Sequence, residues 1–139
     1  MKSRETLIRL KRFRVDEKRR KVAQIEAMIA EFERMASDLE REIRIEQDRA
    51  GIHDPEHFAY PTYAKATVGR RENIKRSADE LRVQLEDAKL ALADAFDELK
   101  KVELLDERDQ AREREAEQAA GQVEFNSIAL MRARRGASA

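Results

Sequence analysis

Residues 8–43, IRLKRFRVDEKRRKVAQIEAMIAEFERMASDLEREI, carry an apolar side chain at every seventh position: Ile8, Val15, Val22, Ile29, Ala36 and Ile43. A second series, Ile25, Phe32 and Leu39, falls between them, so the spacing alternates by three and four. That alternation is the seam of a coiled coil, because about 3.5 residues per turn keep a single stripe facing a partner helix. The pattern returns downstream at Ile74, Ala78, Leu81, Leu85, Ala88, Leu92, Ala95, Leu99 and Val102. One chain therefore holds two matched seams.

Between the seams lies GIHDPEHFAYP, residues 51–61, with both prolines of the chain and one of its four glycines. No helix runs through it. Gly51 suits the left-handed conformation that ends a helix, and Asp54-Pro55-Glu56 has the order of an N-cap, a first-turn Pro and a first-turn acid. The spacing thus predicts a short helical turn inside the apex and a second helix starting near Pro61 or Thr62. Gly69 is a weak point in that helix, costing about 1 kcal/mol relative to Ala, where it bends or restarts.

A connection of that length folds the second helix back along the first, and the charges agree with the direction. Residues 1–21 hold ten Lys or Arg against three acids, whereas residues 103–118 hold seven acids against three Arg. Antiparallel pairing around the apex sets Ile8 and Val15 opposite roughly positions 99 to 106, basic start beside acidic run. The expected fold is all-α: two long helices in an antiparallel coiled-coil hairpin, the second longer than the first. It forms one domain over 1–139, with helix 3–50, apex 51–62, helix 63–134 and a frayed terminus 135–139. Residues 107 to about 134 then have no partner within the chain. Their apolar groups, Ala111, Ala116, Ala119, Ala120, Val123, Phe125, Ile128, Leu130 and Met131, call for a partner from outside.

Composition narrows the function classes. With 42% charged residues, five Phe, two Tyr and no Trp in 139 residues, the chain cannot fill a compact globular interior. Its 29 basic and 29 acidic residues cancel, leaving no overall field toward nucleic acid or anionic lipid. No cysteine is present, which fits a reducing compartment. No apolar run reaches the ~18 residues of a spanning helix, and the charged start lacks the apolar centre of a secretory signal, so membrane insertion is not expected.

Candidate chemistry is sparse. His53 and His57 are four apart, a metal-like spacing, but Pro55 breaks the register and no third ligand is fixed, so no metal or other cofactor is expected. There is no Gly-rich phosphate loop, nucleophile elbow or supported Ser/His/Asp arrangement, and two helices offer no dry pocket to shift a carboxylate; the expectation is not an enzyme. The basic cluster Lys11, Arg12, Arg14, Lys18, Arg19, Arg20 and Lys21 reads as a solvated, internally paired face, not a nucleic-acid site. Phe58, Tyr60 and Tyr63 gather three of the seven aromatics at the apex, either capping the hairpin core or offering a protein-binding tip.

The ordered features resemble the flagellar FliJ family: a helical start with LIRLKRFRVDEKRR at 7–20, a mid-chain loop with aromatics, and the late run LLDERDQAREREAEQ at 104–118. The resemblance spans most of the chain. It implies a cytoplasmic component of the flagellar type III export apparatus, peripheral to the basal body and shaped like the antiparallel coiled coil of the rotary ATP synthase gamma subunit. It also implies three partners: the flagellar export ATPase, the export gate protein and export chaperones. The ATPase-docking end would comprise Leu7, Leu10 and Phe13 with the tail around Val123, Phe125, Ile128 and Met131. Many members carry an acidic pair before Ile-Ala near the end, where this chain has Asn126 and Ser127. Gate-binding members carry an aromatic followed by Phe-Ile, where this chain has Tyr60-Pro-Thr-Tyr63-Ala64, so gate contacts are not assigned to individual residues. A general coiled-coil scaffold or chaperone-like clamp is the alternative. Oligomeric state stays open, because the tail suits pairing with a second copy.

Overall fold

The computed structural model describes residues 2–137. They form two helices, α1 (Lys2–Ala50) and α2 (Thr62–Ala137), of 49 and 76 residues, with no strand among the described residues. The all-α fold with a longer second helix is the one the seams require.

The described residues divide into two compact units, and in each a segment of α1 runs antiparallel to a segment of α2. The larger unit, Arg12–Phe96, contains the apex. Its core is Ile25, Ile29 and Leu81, flanked by half-buried Phe32, Leu85 and Ala88, with Val15, Ala36, Ile43 and Ala78 also buried. All of these residues, Leu85 and Ala88 included, belong to the three-four series read from the sequence.

Helix α1 stops where Gly51 takes φ 70°, the left-handed region, and its N–H bonds the Gln47 carbonyl at 2.8 Å. The apex differs from expectation in one respect. Residues 54–60 close as two successive turns, His57 N–H to Asp54 carbonyl (3.1 Å) and Tyr60 N–H to His57 carbonyl (3.0 Å), and not as a helical turn. The Asp54 carboxylate accepts the Glu56 N–H at 3.0 Å, which fixes an Asx turn in place of an N-cap leading into helix. Pro61 then offers its carbonyl to the Lys65 N–H at 3.0 Å, so α2 begins at Thr62, one residue before the expected 63.

Helix α2 passes through Gly69 and Gly121 without interruption. It also continues beyond 134, where fraying was expected, to Ala137; residues 138–139 lie outside the described residues. Arg134 and Arg135 in its last turn sit favourably at the negative end of the helix dipole.

The smaller unit joins α1 up to Lys11 with α2 from Asp97 onward. Half-buried Ile8, Val102 and Ala111 and buried Leu99 line its contact, and every residue from 112 to 137 is exposed.

Two substitutions test this packing. Leu81→Ala removes a side chain from the centre of the larger core and is expected to lower unfolding free energy by about 2–4 kcal/mol in urea titration. Gly69→Ala, at an exposed helical position with open space around an added Cβ, is expected to raise it by about 1 kcal/mol.

Candidate functional site

The 3-4 count that defines the seam, carried outward from Ile8 and Val102, lands on charged residues. On α1 the positions in phase with Ile25 are Arg4, Lys11 and Lys18; on α2 those following Val102 are Asp106 and Asp109. Arg4 and Lys11 belong to the smaller unit, where both meet carboxylates of α2, whereas Lys18 belongs to the larger unit. Arg4, with its side chain only 19% exposed, reaches Asp106 (3.3 Å), Asp109 (3.3 Å) and Glu113 (2.8 Å). Lys11 reaches Glu98 at 2.8 Å.

A hydrogen bond donated to Glu113, then the charges of Glu113, Asp109 and Asp106, hold the Arg4 guanidinium above its usual range, against the opposing effect of partial burial. One forked cation serving three carboxylates over two turns of α2 is a clasp on the start of α1. Ile8 lies between Arg4 and Lys11, whose partners are Asp106 and Glu98, so its neighbours on α2 are those expected from the apex geometry.

Past the clasp, α2 is bare. Val123, Phe125, Ile128, Leu130 and Met131 are each half or more exposed, Phe125 at 67%. Leu7, Leu10 and Phe13 on α1, the residues expected to dock, are exposed as well, and Arg20 lies over the Phe13 ring at 6.0 Å. Arg14, Lys18 and Lys21 make no ion pair among the described residues, while Arg19 approaches Asp16 at 4.0 Å; the basic cluster is only partly paired internally.

In the larger unit the three apex aromatics part company. Tyr60 is 8% exposed and its hydroxyl accepts from Gln47 Nε2 at 2.9 Å, so it caps the core. Tyr63 is half exposed, donates its hydroxyl to Glu42 at 3.1 Å and carries Arg70 over its ring at 5.9 Å. Phe58 is 96% exposed, stacked only on His57 at 4.7 Å. The His57 Nδ1 accepts the Ala59 N–H and His53 Nε2 contacts Asp48, so the two imidazoles serve the turn separately. Among the described residues no three His, Cys, Asp or Glu side chains gather in a metal-holding group, and no helix is long and apolar enough to cross a membrane.

Two residues next to the apex escaped the sequence reading. Ala64 and Thr67 are 0% exposed, and the Thr67 hydroxyl donates to the Tyr63 carbonyl at 2.7 Å. Counting back from Ile74 by three and four gives Arg71, Thr67, Ala64 and Tyr60, so the phase was present, but its small and polar members do not register as apolar. Further along, a surface groove of about 310 Å³ is lined by Phe32, Ala36 and Ala78. Around its rim, Arg82 is paired with Glu33 and Asp79.

Comparison with protein-family models, curated proteins and solved structures gives no match. The surfaces are therefore read from their own geometry.

Replacing Arg4 by Ala is expected to speed amide exchange in the first turns of α1 while leaving that of Ile25 and Ile29 unchanged. Equal protection in both regions would show that the clasp holds nothing. Tyr60→Phe, which strands the Gln47 amide, is expected to cost about 0.5–1.5 kcal/mol by thermal unfolding.

Proposed function

We propose that the chain is a FliJ-type, non-enzymatic component of the flagellar type III export apparatus, acting in the cytoplasm beside the basal body. It engages the export ATPase ring through the bare part of α2. The observation that carries this reading is the exposed helix 112–137 with Val123, Phe125, Ile128 and Met131 on its surface. Apolar side chains of that size and number on a single unsupported helix are an interaction surface waiting for a partner. The FliJ-like order of the sequence supplies the identity of that partner, and exposed Leu7 and Leu10 near the clasp extend the surface.

Physically, such a component works by asymmetry. One helix pair meets a ring of identical subunits unequally, which biases their assembly or firing order. Export chaperones and the export gate protein would use other faces, with Phe58 at the apex the most exposed aromatic available.

Mixing the chain with the cognate ATPase is expected to change ring formation and hydrolysis rate; no effect on either removes the mechanism. Ending the chain after Arg114 keeps all three partners of Arg4 but deletes the bare helix, and is expected to abolish the effect with the remaining helicity retained. Phe125→Asp with Ile128→Asp is expected to weaken ring binding at least about tenfold, as loss of two buried anchors does.

A further inference from the structure

A second stripe with the spacing of a seam runs along one flank of α1 in the larger unit. Counted by four and three, it opens with Arg14, Lys18 and Lys21 and then alternates the core residues Ile25 and Phe32 with Met28 and Met35, which are 43% and 37% exposed. No carboxylate falls on it between 14 and 35. Arg14, Lys18 and Lys21 make no ion pair among the described residues.

The two edges of this helix pair differ. On one, Arg82 pairs with Glu33 and Arg71 with Glu40, so each helix answers the charge of the other. The other edge carries the stripe, and there the Tyr63 hydroxyl donates to Glu42 at 3.1 Å. Whole heptads outward from that contact set Met28 with Ser77, Lys21 with Gln84 and Arg14 with Ala91. The α2 side of the edge is uncharged at these three places, which leaves the cations unanswered and the thioethers uncovered.

We propose that this edge docks an acidic amphipathic helix of another protein, laid along α1 and α2 as a third helix. Its Glu or Asp side chains at three-four spacing meet Arg14, Lys18 and Lys21, and its apolar residues in the same phase cover Met28 and Met35. Methionine suits such a surface, because its flexible thioether adapts to varied apolar shapes. Charge makes the occupant anionic, and the methionines make it a helix with an apolar half. A phosphate chain gains nothing from them, and Glu17 and Glu31 on the adjoining outward face oppose an anionic bilayer. The acidic run of this chain is a poor occupant, since Arg4 already engages its Asp106, Asp109 and Glu113. No residue of the bare helix 112–137 takes part, so the site is independent of ring engagement.

Two synthetic helical peptides of about 22 residues, long enough to run from Arg14 to Met35 at 1.5 Å per residue, probe the site on the full-length chain without any ATPase present. Each carries Glu at three-four positions in one half and Leu in the same phase in the other; one has the Glu half first, the other last. Fluorescence anisotropy is expected to show one of them binding at least about tenfold more tightly than a scrambled peptide of the same composition. Arg14→Glu/Lys21→Glu and, separately, Met28→Ser/Met35→Ser are each expected to weaken that binding at least about tenfold, while Lys75→Glu on the opposite edge leaves it unchanged. All these positions are exposed, so helicity by circular dichroism stays that of the parent chain. A further peptide with Lys in place of Glu is expected to prefer the Arg14→Glu/Lys21→Glu chain; failure to do so contradicts ion pairing at this edge. Equal binding of ordered and scrambled peptides, binding indifferent to the methionines, or a match by single-stranded oligonucleotide or phosphatidylglycerol vesicles means a general polyanion surface and overturns the proposal. Self-association of the chain that Arg14→Glu/Lys21→Glu abolishes overturns it as well, by making a second copy the occupant.

Discussion

Burial of one apolar stripe of α1 against one of α2 is the constraint on which everything else in the molecule depends. A chain with so few large apolar residues has no other way to remove them from water, and the stripe does so only while its three-four spacing keeps facing a partner. The apex serves that burial: Gly51 ends α1 in the left-handed region, the Asp54 and His57 turns reverse the chain, and Tyr60 covers the first layer. Ala64 and Thr67 continue it with side chains small enough for close helix approach, and the Thr67 hydroxyl is satisfied within its own helix.

The seam changes chemistry along its length without changing phase. Ile25, Ile29 and Leu81 make the larger unit's core, whereas the smaller unit closes with Arg4, Lys11, Asp106 and Asp109 in equivalent positions. An ionic closure in a half-exposed setting contributes little net free energy but fixes register, because a guanidinium bound to three carboxylates tolerates no sliding by a heptad. That fixes where α1 ends against α2, and so how much of α2 is left bare. The proposed docking surface is a consequence of this length mismatch between the helices.

Much of the fold was legible because the seam's apolar members are periodic: the helices, the reversal and the direction of pairing follow from that spacing and from the charge imbalance between 1–21 and 103–118, while the unpaired tail, expected from 107, starts only at 112–114 because Arg4 holds Asp109 and Glu113 and Ala111 is half-buried. What escaped was the part written in other residue types. Ala64 and Thr67 are too small or polar to stand out, and Arg4 and Lys11 read as surface basic residues until the heptad count is extended through them. The helical turn expected at Asp54 is absent: the Asp54 carboxylate holds the Glu56 N–H as an N-cap does, but the chain beyond it closes in two successive turns at His57 and Tyr60 instead of a helix. The apex aromatics look alike in sequence, yet only tertiary context separates buried Tyr60 from exposed Phe58. Which of the bare faces on α2 meets which partner is chemistry between molecules, and a single sequence carries only its complementarity.

The most direct measurement is intrachain bridging of engineered cysteines on the two sides of each unit: Glu33→Cys with Arg82→Cys in the larger, Lys11→Cys with Glu98→Cys in the smaller. Antiparallel packing predicts a fast bridge within a single chain for both pairs, at dilutions where no intermolecular product forms. Bridges that form only between chains, or not at all, would mean that the stripes do not meet within one molecule and that the bare helix has been wrongly identified.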